Sequence, residues 1–238
     1  MRDARARVLA RIAEACRRVG RDPAGVTLVA VTKTVPVERV RAAVAAGLTT
    51  LAENRVQEAA AKARLVEGAA WHLVGPLQSN KIRRAVATFS MIETVESASQ
   101  AERLDRIAGE LSRFDRYPVL LQVNVDRDPV KAGFSTDELE RSVDAVLACR
   151  HLDVRGLMTV GRLVPDPAEA RPTFVALRVL SERLRSTAPG LGPELSMGMT
   201  DDFQVAIEEG ATIVRIGRAL FGERDHRHSD GQSNGHPH

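Results

Sequence analysis

Short apolar runs alternate along this chain with longer stretches in which apolar residues recur every three or four positions, the spacing of one helix face. Before the first run, Val8, Leu9, Ile12, Ala15, Cys16 and Val19 repeat at helical spacing through an Arg-rich segment that ends at Gly20. They predict an amphipathic opening helix. A transit peptide would share the arginines, but Asp3, Glu14 and the clean apolar face favour a packed helix.

Eight strand-helix pairs follow. Val26 to Val31 precedes Val37 to Ala46, Thr49 to Ala52 precedes Val56 to Val66, His72 to Val74 precedes Ser79 to Ala87, and Met91 to Glu93 precedes Ala98 to Leu111. Val119 to Val125 then precedes Thr136 to Cys149, Val154 to Met158 precedes Ala168 to Thr187, Glu194 to Ser196 precedes Asp202 to Glu209, and Ile213 to Ile216 precedes a short helical turn. Strands alternating with helices imply a parallel sheet, and eight of them imply closure into a (β/α)8 TIM-type barrel with an extra N-terminal helix. An open doubly wound sheet is the structural alternative. The 238 residues suit this reading, since such a barrel takes about 250. One domain is expected over residues 1–224, followed by a disordered tail over 225–238 that is rich in His, Ser, Gly, Asn and Pro.

Composition narrows the function classes. The net charge of +3 comes from 34 basic and 31 acidic residues that are interspersed, and aromatics make up 3%, so a mixed solvated surface is expected rather than a nucleic-acid interface. No run approaches the ~18 apolar residues of a membrane span, and no secretory leader is evident, which leads us to expect a cytoplasmic protein. Cys16 and Cys149 fall in helical segments without metal-ligand spacing and read as buried, reduced thiols. Metal capture by the tail's four histidines is not expected as a native function, and no metal site is assigned.

In a barrel of this kind the loops after the strands form the active face, so polar residues at strand C-terminal ends are read for function first. Lys33 directly follows the first strand, Glu53 and Asn54 follow the second, His72 lies on the third ahead of Gly75-Pro76, Asn124 ends the fifth, Ser196 ends the seventh, and Arg215 lies within the eighth. A strand-end lysine alone is most often one whose head reaches solvent. Held among apolar groups and other cations, its amine would instead have a lowered pKa and could attack an aldehyde. Ser196 and Thr200 could be no more than helix caps. Gly217, however, opens a short helix one strand later, so the loops after strands seven and eight converge on a site able to hold a phosphate.

The runs Val-Thr-Lys-Thr (31–34), Glu-Asn-Arg-Val-Gln-Glu (53–58), Trp-His-Leu-Val-Gly-Pro-Leu-Gln-Ser-Asn-Lys (71–81), Arg-Gly-Leu-Met (155–158), Leu-Ser-Met-Gly-Met-Thr-Asp-Asp (195–202) and Val-Arg-Ile-Gly-Arg-Ala-Leu-Phe-Gly (214–222) occur in this order. Together they resemble the pyridoxal phosphate homeostasis proteins, over roughly residues 5 to 224. The resemblance implies a barrel like the N-terminal domain of alanine racemase and pyridoxal 5′-phosphate as cofactor, held as a Schiff base on Lys33. It further implies that Arg215 faces the pyridine nitrogen, that Ser196, Thr200 and the backbone at Gly217 hold the phosphate, that Asn54 lines the pocket, and that His72 lies under or beside the ring. Ala52 and Thr200 depart from the family's more usual Gly and Ser, and Thr keeps the hydroxyl.

Two functions that use the cofactor remain to be weighed, beside a third reading in which the barrel binds some other phosphorylated metabolite through Ser196, Thr200 and Gly217 and leaves Lys33 unmodified. One is a carrier or buffer of the cofactor in intracellular homeostasis, with PLP-dependent apoenzymes as partners and no turnover of its own. The other is an amino-acid racemase, which needs a base on each face of the ring. In alanine racemases the second base is a tyrosine from a partner subunit, and a β-rich C-terminal domain helps complete the site. Here the chain closes soon after the eighth strand, and the sole tyrosine, Tyr117, precedes Pro118 at the bottom of the fifth strand. The carrier is therefore favoured, as a monomer. Lys131 follows the fifth strand on the active face and is read as an ordinary loop lysine, though one able to assist in cofactor transfer.

Overall fold

In a computed structural model the chain is described over residues 1–162 and 164–222; the expected tail from residue 225 lies outside the described residues. The opening helix α1 (Arg2–Arg18) packs on the barrel and is followed by a short 3₁₀ turn. Then come β1 (Thr27–Val31), α2 (Val37–Ala45), β2 (Thr50–Glu53), α3 (Val56–Ala63), β3 (Ala70–Leu73), α4 (Ile82–Thr88), β4 (Met91–Val95) and α5 (Ala98–Leu111). The second half runs β5 (Tyr117–Gln122), α6 (Thr136–Leu147), β6 (Leu152–Met158), α7 (Arg171–Thr187), β7 (Glu194–Ser196), α8 (Phe203–Glu208), β8 (Ile213–Ile216) and α9 (Arg218–Phe221). The strands form a closed barrel in chain order, every pair parallel, with β8 returning to β1. The doubly wound alternative is excluded.

Why the sequence closes this way is visible in its two cores. Strand side chains alternate between faces. Leu28, Ala30, Leu51, Leu73, Ile92, Val119, Leu121, Leu157, Leu195, Val214 and Ile216 join the large cluster between sheet and helices, which also takes the apolar stripes of α1 to α8. Val29, Ala52, Met91, Leu120, Met158 and Ile213 form a separate cluster that fills the barrel interior. Buried on both faces, the strands read as nearly continuous apolar runs, as parallel strands do.

Element boundaries move where particular hydrogen bonds rather than periodicity decide. The fifth strand begins earlier than expected, as the Tyr117 amide donates to the His151 carbonyl, and stops at Gln122 rather than Val125. It stops because the Asn124 side chain closes the next loop, donating to the carbonyls of Asp128 and Lys131 and accepting from the Asp128 amide. The third helix ends at Ala63 rather than Val66; the next turn closes with Leu65 donating to Lys62, and Arg41 holds the Leu65 carbonyl. The long stretches before α4 and α7 open as 3₁₀ turns, Ser79–Lys81 and Pro167–Ala170.

β6 carries one irregularity. Opposite consecutive Val119 and Leu120 stand Val154 and Gly156, so Arg155 is an extra residue and the strand bulges. Gly156 sits at φ 149°, and a Cβ there would stand 2.0 Å from the Glu194 carbonyl oxygen of β7. Gly156→Ala should therefore lower stability by about 2–4 kcal/mol through backbone strain and overpacking. Denaturant unfolding checks this, and a midpoint equal to that of the parent chain would refute it.

Candidate active face

The inward positions change character toward the strands' C-terminal ends. Above the apolar interior cluster come His72 on β3, Glu93 on β4, Ser196 on β7 and Arg215 on β8, all buried. They form one connected network. Arg215 donates from Nη1 to Ser196 Oγ (2.7 Å) and from Nη2 to the Thr159 carbonyl (2.7 Å). Ser196 Oγ in turn donates a hydrogen bond to Glu93 Oε2 (2.5 Å), and His72 Nδ1 meets Glu93 Oε1 at 2.7 Å.

A guanidinium in this position must be compensated, because desolvation disfavours any isolated charge in an apolar interior. Burial pulls the Arg215 pKa down from its ordinary value while the charges of Glu93 and Asp202 push it back up. For Glu93 burial pushes upward, but His72, the Arg215 charge and the Ser196 hydroxyl outweigh it, and its carboxyl is held below the usual range. Asp202, at the start of α8, is buried, which raises its pKa. It accepts the Met199 amide through Oδ1 at 2.6 Å and so shapes the loop after β7.

Of the sequence-predicted site residues, Lys33 follows β1 by two positions and is half-buried; Thr34 beyond it adopts φ 65°. Asn54 directly follows β2, half-buried, where Gly75 packs against its backbone so closely that a Cβ on Gly75 would stand 2.3 Å from the Asn54 carbonyl oxygen. Thr200 and Gly217 are brought together: Gly217 precedes α9, and the Ala219 amide in that turn points at Thr200 Oγ1 (3.4 Å). An ion pair between Asp201 and Arg218 ties the same two loops. Ser196 is not part of that pair of loops. Its hydroxyl proton is committed to Glu93, and what it holds is the guanidinium of Arg215. Lys131 is held across the mouth, donating to the Val160 carbonyl (3.1 Å) and to Asp126 (3.3 Å). Tyr117 is the first residue of β5, at the opposite end of the strands from Lys33, with its hydroxyl donating to the Phe89 carbonyl.

Sequence reading missed Glu93 as a site residue. The available signal was a carboxylate inside an otherwise uncharged strand, two positions after the inward-facing Met91. It also named Glu53 only as a strand-end residue and did not join it to Glu58 and Lys62, with which it forms a second, largely buried cluster behind Lys33.

The closed parallel barrel defines the class of domain: residues 6–225 match the family described as "Alanine racemase, N-terminal domain". Among curated relatives, the pyridoxal phosphate homeostasis protein of Pseudomonas aeruginosa is 44% identical over 226 residues, covering 93% of this chain and 94% of the relative. That of Aquifex aeolicus is 38% identical over 220 residues, covering 92% and 96%. The solved structure of PipY from Synechococcus elongatus with PLP bound is 41% identical, with a TM-score of 0.79, covering 89% of this chain and all of that one. The chain belongs to the family of the pyridoxal phosphate homeostasis proteins. Among the described residues no helix is long and apolar enough to cross a membrane.

The depressed pKa of Glu93 has a sign that can be tested. A carboxylate with a folded pKa below its unfolded one contributes stability fully above the unfolded value and loses it as pH falls through the folded one. Glu93→Gln, which leaves Arg215 without its buried counter-charge, should cost about 3–5 kcal/mol near neutral pH. It should also flatten the acid side of the stability profile, read by urea unfolding across pH. An unchanged acid limb would count against the network.

Proposed function

We propose that this chain binds pyridoxal 5′-phosphate as a Schiff base on Lys33 and carries or buffers it in intracellular PLP homeostasis, without turnover of its own. The observation that carries the reading is Arg215. It is a buried guanidinium fixed by Ser196 and Thr159, on the strand that pairs Arg215 with Val29, four residues before Lys33.

The donor set fits the cofactor. Lys33 provides an amine for the aldehyde, Thr200 and the turn at Gly217 provide a hydroxyl and backbone N–H groups for the phosphate, and Asn54 and His72 line the space between. Bound there, the cofactor would supply an aldehyde and an electron-withdrawing ring. Arg215 bears on the second of these. A guanidinium stays protonated and can only donate, so facing the ring nitrogen it disfavours protonation there and weakens the ring as an electron sink.

Turnover as a racemase would also need a second base opposite Lys33. Tyr117 is spent on the Phe89 carbonyl at the other end of the barrel, and burial raises its pKa well above the ordinary phenol value. Both facts favour storage over catalysis, and the curated relatives are likewise named for homeostasis. We read the carrier as a cytoplasmic monomer whose partners are PLP-dependent apoenzymes.

Incubated with the cofactor, the protein should gain a visible absorption band, and borohydride reduction should leave the cofactor's mass on the Lys33 peptide. Lys33→Ala should abolish both. A colourless parent chain with an unmodified Lys33 peptide would refute the binding assignment. Sustained interconversion of alanine enantiomers, lost in Lys33→Ala, would refute the carrier assignment alone.

A further inference from the structure

The residues on either side of Lys33 are gripped from outside the site. Lys62 of α3, itself buried, uses all three of its protons at 2.7 Å: on the Thr32 carbonyl, on Glu53 Oε1 and on Glu58 Oε1. Glu53 Oε1 also accepts the Thr32 hydroxyl at 2.7 Å. Glu58 Oε1 also accepts the Thr34 amide at 2.9 Å. Thr32 is thus held by its carbonyl and its hydroxyl, and Thr34 by its N–H.

Thr34 is where the grip is needed. Its φ of 65° is left-handed, a region that β-branched residues avoid because Cβ crowds the backbone. Such a conformation persists only when its surroundings over-determine it. The cluster is also costly in its own right. Glu53 is wholly buried, its pKa is raised by that burial, and its Oε2 is the one buried side-chain oxygen or nitrogen among the described residues that lacks a hydrogen-bond partner. Burying the Glu53 carboxylate with the Lys62 ammonium contributes little as packing, since apolar residues of similar volume would serve at least as well.

We infer that Glu53, Glu58 and Lys62 form a positioning device for Lys33, fixing the backbone turn that presents its amine at the barrel mouth. The inference rests on the Schiff-base reading of Lys33 and extends it to residues that do not touch the cofactor. Glu58 is the informative member: its side chain is partly exposed, and its loss leaves Lys62 paired with Glu53.

The test compares Glu58→Ala, Glu58→Gln and the double variant Glu58→Ala/Thr34→Gly, each titrated with pyridoxal phosphate by visible absorbance and borohydride trapping, with thermal unfolding alongside. Glu58→Ala should weaken apparent affinity about five- to thirtyfold while the unfolding midpoint stays near that of the parent chain. Glu58→Gln keeps an acceptor for the Thr34 amide and should bind like the parent. Glycine adopts φ near 65° without penalty, so the double variant should recover most of the loss. Unchanged affinity in Glu58→Ala, an equal loss in Glu58→Gln, a double variant no better than the single, or an affinity loss matched by a fallen midpoint would each overturn the inference. The Schiff-base reading fails separately, if the parent chain itself is not trapped at Lys33.

Discussion

The guanidinium of Arg215 lies inside a closed barrel, and much of the upper interior is arranged around that charge. The barrel's lower interior is filled by Val29, Ala52, Met91, Leu120, Met158 and Ile213, which offer no polar partner. Two positions further along β8, the same inward face presents a cation. The guanidinium is buried there, so compensation comes from neighbouring strands: a hydroxyl from β7, the charge of a carboxylate from β4 and a carbonyl just after β6, with an imidazole from β3 holding that carboxylate in turn. The geometry of β3, β4, β7 and β8 is thereby cross-linked near their C-terminal ends. Ser196 is the hinge of the arrangement, since it accepts from the cation and donates to the anion.

How much of this the sequence disclosed depends on the range of the interaction. Strand and helix identities follow from local periodicity, and closure follows from counting the pairs. That Lys33, Asn54, Thr200 and Gly217 lie at one rim follows from the sequence, because a parallel barrel sends the residues after each strand to the same end. The partner of Ser196 does not. Glu93 lies 103 residues away, and joins it only once the strands have closed around the interior. A hydroxyl before a helix and a serine that relays between an arginine and a glutamate look the same in sequence. The misplaced end of β5 has a similar cause, since Asn124 stops the strand with its own amide group.

Lys33 and Lys62 show how one residue type takes two parts within a single fold. Both lie near the end of β1, yet Lys62 rises from α3 on the helix side and is saturated by three acceptors, two of them carboxylates. An ammonium so held has all three of its donors engaged and is fixed in place. The two carboxylates respond in opposite senses: burial raises Glu53, whereas in Glu58 a smaller burial effect is outweighed by Lys62 and the Thr34 amide, and its pKa falls. The lysine that anchors is thus kept apart, across the barrel wall, from the one proposed to react.

Burial is graded across the active face, and the gradient bears on what a carrier requires. Arg215 and Ser196 are buried, whereas Lys33, Asn54, Thr200 and Gly217 are half-buried, and Thr34 beside Lys33 is exposed. An enzyme gains from closing its site, because excluding water strengthens each electrostatic contact with the transition state. A carrier has the opposite need. Its linkage to the cofactor must be reachable by water or by an incoming amine, or the cofactor could be captured but not passed on. In the proposed role, a rigid buried floor that orients the ring, beneath a half-open rim that holds the reactive amine and the phosphate, meets both demands: the floor selects the ligand and the rim lets it leave.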